Sequence, residues 1–208
     1  NIKIKNLFFN VPARRRFLKT DATELRNILN EFYRIVLVNP QCQFMICNND
    51  EVLLDLPAGT AKQRIEQVFG KSTNKQFTSS LVELKSDTEI ISIRGFVGKP
   101  ECAVKNAQQY FFVNNRYMRH PYFHKAVMTA YQGMLSADHN PSYFIYFDVN
   151  PESIDVNIHP TKTEIKFADE QSVWQILLAT VRESLGKFSV TPSIDFESNP
   201  DIEIPAPA

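Results

Sequence analysis

Lys162 is the residue whose neighbours most narrow its chemistry. It lies in Asp155-Val-Asn-Ile-His-Pro-Thr-Lys-Thr-Glu-Ile-Lys-Phe167. Residues 155–158 alternate as a strand does, and Pro160 then removes a ladder donor and holds His159 extended, so the strand must stop at His159. Alternation resumes from Thr163 to Phe167, with Ile165 and Phe167 on one face and Glu164 and Lys166 on the other. Lys162 is left on the short, stiff loop between the two. An ammonium on such a mount is a point charge suited to meeting a phosphate supplied by a neighbouring surface.

Two further cationic groups stand out. Tyr110 to Val113 reads as a strand, Asn114-Asn115 as a two-residue turn and Arg116 to Met118 as its return, so Arg116 and Arg119 project from a hairpin edge. Arg14, Arg15, Arg16 and Lys19 follow the turn Asn10-Val-Pro-Ala in a charged connector. Phosphate contacts need only clustered cations, so these arginines with Lys125 would suffice for a nucleic-acid-binding module. A hydrolase could be assembled only from Asp155, His159 and Glu164. Pro160 separates the last two, and no nucleophile or chelating spacing accompanies them, so His159 is more simply a loop-ordering group.

Composition narrows the classes. With 208 residues, 43% of them hydrophobic, and 23 acidic against 23 basic residues, the chain is globular and carries no overall electrostatic pull toward nucleic acid. Any DNA contact must come from local basic patches. Cys42 and Cys47 point to opposite faces of a strand and Cys102 is distant, so neither a metal cluster nor a disulfide framework is indicated and a reducing, cytoplasmic setting fits. No apolar run approaches the roughly 20 residues a bilayer span needs. Of the six glycines, none lies in a G-x-x-x-x-G-K-S/T loop or a G-x-G-x-x-G turn, so the chain has no phosphate cradle of its own.

Ile2 to Phe8 begins in mid-alternation, which predicts a strand continuing a sheet from a longer polypeptide. Asp21 with Glu24 predicts a capping box for a helix whose Leu25, Ile28, Leu29, Phe32, Ile35 and Val36 share a face, stopped at Asn39-Pro40. Gln41 to Ile46 and Val52 to Leu56 read as the start of a meander around Asn48-Asn49-Asp50. Thr60 and Gln63 predict a second capping box, with Gly70 as the stop of that helix. Ser80 to Leu84 and Glu89 to Val97 are further strands, and Lys99 to Ala107 a mobile loop. Pro121 opens a helix with Phe123, Ala126, Val127, Ala130, Tyr131 and Met134 on one face. Ser142 to Val149 is apolar on both faces and reads as a central strand. A last helix runs from Glu170 to Leu185, with Gly186 as its stop, and residues 188–208 read as a linker. Together these give an α+β fold with a mixed sheet and helices packed on it.

The string D-V-N-I-H-P-T-K-T-E-I-K-F at residues 155–167 resembles the D-V-N-V-H-P-x-K-x-E-V-R-F signature of the MutL family of DNA mismatch repair proteins. Asn6-Leu-Phe-Phe-Asn-Val-Pro-Ala-Arg-Arg-Arg-Phe-Leu18 is similar to that family's L-F-x-N-x-P-A-R-x-K-F-L, and Phe112-Val-Asn-Asn-Arg-Tyr-Met-Arg119 to its F-V-N-G-R segment. Arg16 stands where the family usually has Lys, and Asn115 where it often has Gly. The resemblance implies that residues 1–39 end an upstream GHKL-type ATPase domain and its connecting helix, that 40–187 form a transducer domain with a left-handed βαβ crossover, and that 188–208 begin a linker. It implies further that ATP with magnesium is held mainly by the upstream domain, that Lys162 reaches the terminal phosphate from this side, and that the chain alone is inactive. The implied partners are the DNA backbone at Arg116 and Arg119, a second copy of the whole protein, and a mismatch-recognition protein of the MutS type; Arg14 to Arg16 are a DNA-contact candidate from their clustering alone.

Overall fold

Strand pairing in the centre of the chain is set by one segment that is apolar on both faces. The computed structural model describes residues 2–70, 80–157 and 163–190, the last three by their backbone. In chain order the elements are helices α1 (Pro12–Arg16) and α2 (Asp21–Val36), strands β1 (Phe44–Asn48) and β2 (Glu51–Leu56), helix α3 (Ala61–Phe69), strands β3 (Leu81–Asp87), β4 (Ser92–Gly98), β5 (Gln109–Val113) and β6 (Arg116–Met118), helix α4 (Pro121–Ala130), strands β7 (Tyr143–Asp148), β8 (Ile154–Asp155) and β9 (Lys166–Phe167), and helix α5 (Glu170–Val190). Five strands form the main sheet in the order β3-β4-β7-β5-β6. β7 is its middle strand, antiparallel to β4 and parallel to β5, so the sheet is mixed and the return from β5 to β7 crosses over through β6 and α4.

The alternation along β7 explains the layers. Tyr143, Ile145 and Phe147 join Phe111 and Val113 in a core closed by Phe123, Ala126, Val127 and Ala130 of α4 and Val173, Leu177, Val181 and Leu185 of α5. Phe144 and Phe112 face the other way, into a second core with Val36 and Leu37 at the end of α2 and with Ile65, Val68 and Phe69 of α3. Each of these fully buried large side chains contributes about 1.5–3 kcal/mol. The Tyr146 hydroxyl donates to the Leu37 carbonyl at 3.1 Å and so ties the end of α2 to the sheet. At one point the ladder has no room for a side chain: Gly95 has φ +146°, and a Cβ there would stand 2.0 Å from the Phe144 carbonyl oxygen.

Several expectations need correction. Residues 2–5 form no strand, and Asn6 and Phe8 hold φ +50° and +63°, which breaks an extended run. Arg14 to Arg16 lie on α1 rather than in a connector, because Pro12 fits the first turn of a helix. The cap of α2 is Thr20 rather than Asp21; its side chain accepts from the Thr23 N–H, and Glu24 Oε1 accepts from the Lys19 N–H at 2.8 Å. Among the described residues β1 and β2 pair only with each other and so start no meander. Gly70 ends α3 as expected, as a cap in the right-handed region. α4 ends at Ala130 and leaves Met134 exposed. α5 passes through Gly186 to Val190. The 99–107 stretch contains a 3₁₀ turn at Pro100–Cys102 and a bridge from Val104 to Asn140, so it is tied down. The capping box at Thr60 and Gln63 is present in full.

Candidate nucleic-acid interface

The β5–β6 hairpin is made by its turn. Asn114 and Asn115 hold φ +46° and +63°, the pair of left-handed residues a two-residue hairpin turn requires, and Val113 pairs with Arg116 across it. Asn114 also anchors the tip to the end of β7: its N–H donates to the Phe147 carbonyl at 2.9 Å, and its side-chain amide bonds both the N–H and the carbonyl of Val149. Arg116 therefore leaves a fixed tip into solvent.

Beyond Arg116 the edge strand β6 carries Tyr117, Arg119 follows just past its end, and helix α2 supplies a third arginine. The Arg34 guanidinium lies 4.0 Å from the centre of the Tyr117 ring and is ion-paired to Glu31, one turn earlier on the same helix. Hydrogen bonding to the Tyr117 side chain comes first, and the charges of Tyr117 and Glu31 add to it, in holding the Arg119 pKa above its ordinary value. Arg34 and Tyr117 are shared by two adjoining depressions. One, of about 240 Å³, also takes in Arg119, Asn30 and Gln109; the other, of about 300 Å³, takes in Arg116, Glu31 and Thr163. Three arginines thus line two depressions that share the Tyr117 ring, an arrangement that can accept phosphates along a backbone. Sequence reasoning found Arg116 and Arg119 and missed Arg34, whose position in the last turn of an amphipathic helix carries no local signal.

The remaining candidates fall elsewhere. Arg14, Arg15 and Arg16 are exposed on α1, and none of them lines either depression. Lys125 is exposed on α4. Lys162 and His159 lie outside the described residues; on either side of that stretch, β8 pairs with β9 through Asp155 and Lys166, and the Arg119 N–H donates to the Thr163 carbonyl at 2.7 Å. Both strands are shorter than the alternation predicts, and at β8 Asp155 Oδ1 accepts from the Asn157 N–H at 2.8 Å and turns the chain out of the ladder. Ile165 and Phe167 are buried and Lys166 exposed, as the alternation requires.

A pocket of about 290 Å³ on the other side of Arg119 contains His120, His124 and Tyr143. Burial lowers the pKa of both histidines, opposed at His120 by the nearby Glu170. Both are structural: His120 Nδ1 caps α4 by accepting from the Phe123 N–H at 3.3 Å, and His124 Nδ1 lies 3.0 Å from the Tyr143 hydroxyl. Among the described residues no group of three or more His, Cys, Asp or Glu could hold a metal. Gly95 and Gly98 face the backbone of Phe144 and Ser142 in the sheet. Among the described residues no helix is long and apolar enough to cross a membrane.

Comparison with known proteins follows this geometry. Residues 65–186 match the family described as DNA mismatch repair protein, C-terminal domain. The chain is 58% identical over 207 residues to the DNA mismatch repair protein MutL of Phocaeicola vulgatus and 52% identical over 204 residues to that of Porphyromonas gingivalis, covering 99% and 98% of this chain. It spans about a third of those relatives, 33% and 32% of their lengths. Among solved structures, the N-terminal domain of a DNA repair protein superposes with a TM-score of 0.70 at 20% identity, covering 89% of this chain and 60% of that one. The Aquifex aeolicus MutL ATPase domain complexed with ADP gives 0.58 at 24% identity, covering 88% and 56%. These two likenesses concern the fold.

Proposed function

Because the chain belongs to the MutL family of DNA mismatch repair proteins, we propose that it acts there as the transducer, reading nucleotide state through Lys162 and touching the DNA backbone through Arg34, Arg116 and Arg119. The observation that carries this reading is the 2.7 Å bond from the Arg119 N–H to the Thr163 carbonyl. It fastens the arginine hairpin to the residue that follows Lys162 in sequence, and in this reading the two sites move together. In this reading residues 40–187 are the transducer proper, residues 1–39 belong to an upstream ATPase domain and its connecting helix, and residues 188–208 begin a linker. That domain would hold ATP and magnesium. Lys162 would add a positive charge at the terminal phosphate, and two unit charges about 4 Å apart interact by on the order of 4 kcal/mol at an effective dielectric of 20. Such an interaction can bias a domain orientation, and its loss with the phosphate would release it. The whole protein would dimerise, meet a mismatch-recognition protein of the MutS type, and act in the cytoplasm.

The test is ATP turnover in a longer chain carrying the upstream domain. Lys162→Ala should lower turnover strongly with the unfolding midpoint unchanged, while Lys166→Ala, on the exposed face of β9, should not. Equal turnover in all three proteins would remove Lys162 from the nucleotide site. It would favour the second reading, a nucleic-acid-binding module with no nucleotide role, for which the arginine groove and the lack of a glycine cradle among the described residues speak.

A further inference from the structure

We infer that Glu31 is a built-in competitor for DNA phosphate: it holds Arg34 while the groove is empty and gives it up when a phosphodiester enters. The inference rests on the DNA-binding reading above and adds to it a means of setting affinity.

Arg34 has two partners of unequal permanence. Its guanidinium is kept in place by the Tyr117 ring at 4.0 Å, and only 18% of the side chain is exposed. Glu31 is 67% exposed and so far less confined by its surroundings. The pair is therefore a positioned cation with a solvent-facing anion on it. Among the described residues lining the two depressions Glu31 is also the only carboxylate, and it stands there among Arg34, Arg116 and Thr163. Its field reaches Arg119 as well. The other intrahelical pair, Glu183 with Lys187 on α5, lines neither depression. Because the carboxylate side of the pair is exposed and screened by solvent, a phosphate offering two oxygens to the planar guanidinium fork can replace it. Placed so, Glu31 imitates the ligand, weakens binding without removing the site, and leaves DNA easy to release.

The experiment is duplex binding by the full chain at several salt concentrations, for wild type, Glu31→Gln, Arg34→Ala, the double variant and Arg116→Ala, each checked for an unchanged unfolding midpoint. Glu31→Gln should tighten binding about fivefold at low salt, the scale of one exposed charge interaction, and steepen the fall of log affinity with log salt. Arg34→Ala should weaken binding, and in its background Glu31→Gln should bring no gain. A gain that persists without Arg34 would mean Glu31 acts only through the general field and would overturn the competitor. Unchanged or weaker binding by Glu31→Gln, with both arginine variants impaired, would overturn the inference and leave the DNA reading standing. If neither arginine variant changes affinity, the DNA reading falls and takes the inference with it.

Discussion

Asn114 and Val149 exchange two hydrogen bonds across the end of the sheet: Asn114 Nδ2 donates to the Val149 carbonyl, and the Val149 N–H donates to Asn114 Oδ1, each at 3.0 Å. The side-chain amide thus continues the parallel β5–β7 ladder one step past the strand, just where the hairpin turns. Arg116 is carried by this junction.

Asn114→Ala should cost about 2–3 kcal/mol of stability, from two hydrogen bonds at roughly 1 kcal/mol each and the left-handed conformation Ala adopts less readily. Asn115→Gly should be neutral or slightly stabilising, since φ +63° suits Gly. Urea unfolding of the two variants checks both, and a wild-type midpoint for Asn114→Ala would contradict the anchoring role.

Arg116→Glu should weaken duplex binding about equally for all sequences, because backbone recognition carries no base information. Neutral Arg116→Ala should make the slope of log affinity against log salt shallower by about 0.9 for each B-DNA phosphate it ceases to neutralise, or about 0.7 for a single strand. Parallel lines with equal intercepts for wild type and Arg116→Ala would take Arg116 out of the interface and leave Arg14 to Arg16 as the basic cluster to test.

His120 makes stability depend on pH. Burial lowers its folded pKa below the ordinary histidine value, so the unfolded chain binds the proton more readily. The contribution of the neutral ring is therefore complete above the unfolded pKa of about 6.5 and is lost as pH falls from there through the lowered folded pKa. Protonation of Nδ1 would also break the cap on the Phe123 N–H. His120→Asn keeps a capping side chain and should flatten the loss between pH 7 and pH 5, measured as unfolding free energy across that range; the slope that remains reports His124, whose pKa burial also lowers.

Two glycines should respond in opposite ways to alanine. Gly95→Ala drives a Cβ to 2.0 Å from the Phe144 carbonyl at φ +146° and should cost about 3 kcal/mol or more. Gly186→Ala lies inside α5 with nothing within 4 Å of the new Cβ and should stabilise by about 0.5–1 kcal/mol, raising the thermal midpoint by about 2–4 °C at most. Differential scanning calorimetry of the pair would separate a packing glycine from an incidental one.

The parts of this protein legible in its sequence are those decided within a few residues. Asn114-Asn115 dictates the hairpin because both side chains accept the left-handed region, and Thr60 with Gln63 dictates the start of α3 because each satisfies the other's end of one helical turn. β7 announces itself as the middle strand because Tyr143 to Phe147 leaves neither face polar, and the α5 face follows from Val173, Leu177, Val181 and Leu185. Local rules failed where two neighbours could do the same job or where a signal needed a partner. Thr20 took the cap from Asp21, Gly186 was carried through because a glycine ends a helix only if the chain turns there, and Ile2 to Phe8 makes no strand without a strand beside it. The groove belongs to the tertiary structure. Arg34 and Glu31 lie far from the hairpin in sequence, and they meet Tyr117 only because Val36 and Leu37 are buried against the second face of the sheet and the Tyr146 hydroxyl holds the Leu37 carbonyl. No spacing rule reports such a meeting, since it is fixed by the docking of a helix on a sheet rather than by any repeat within either.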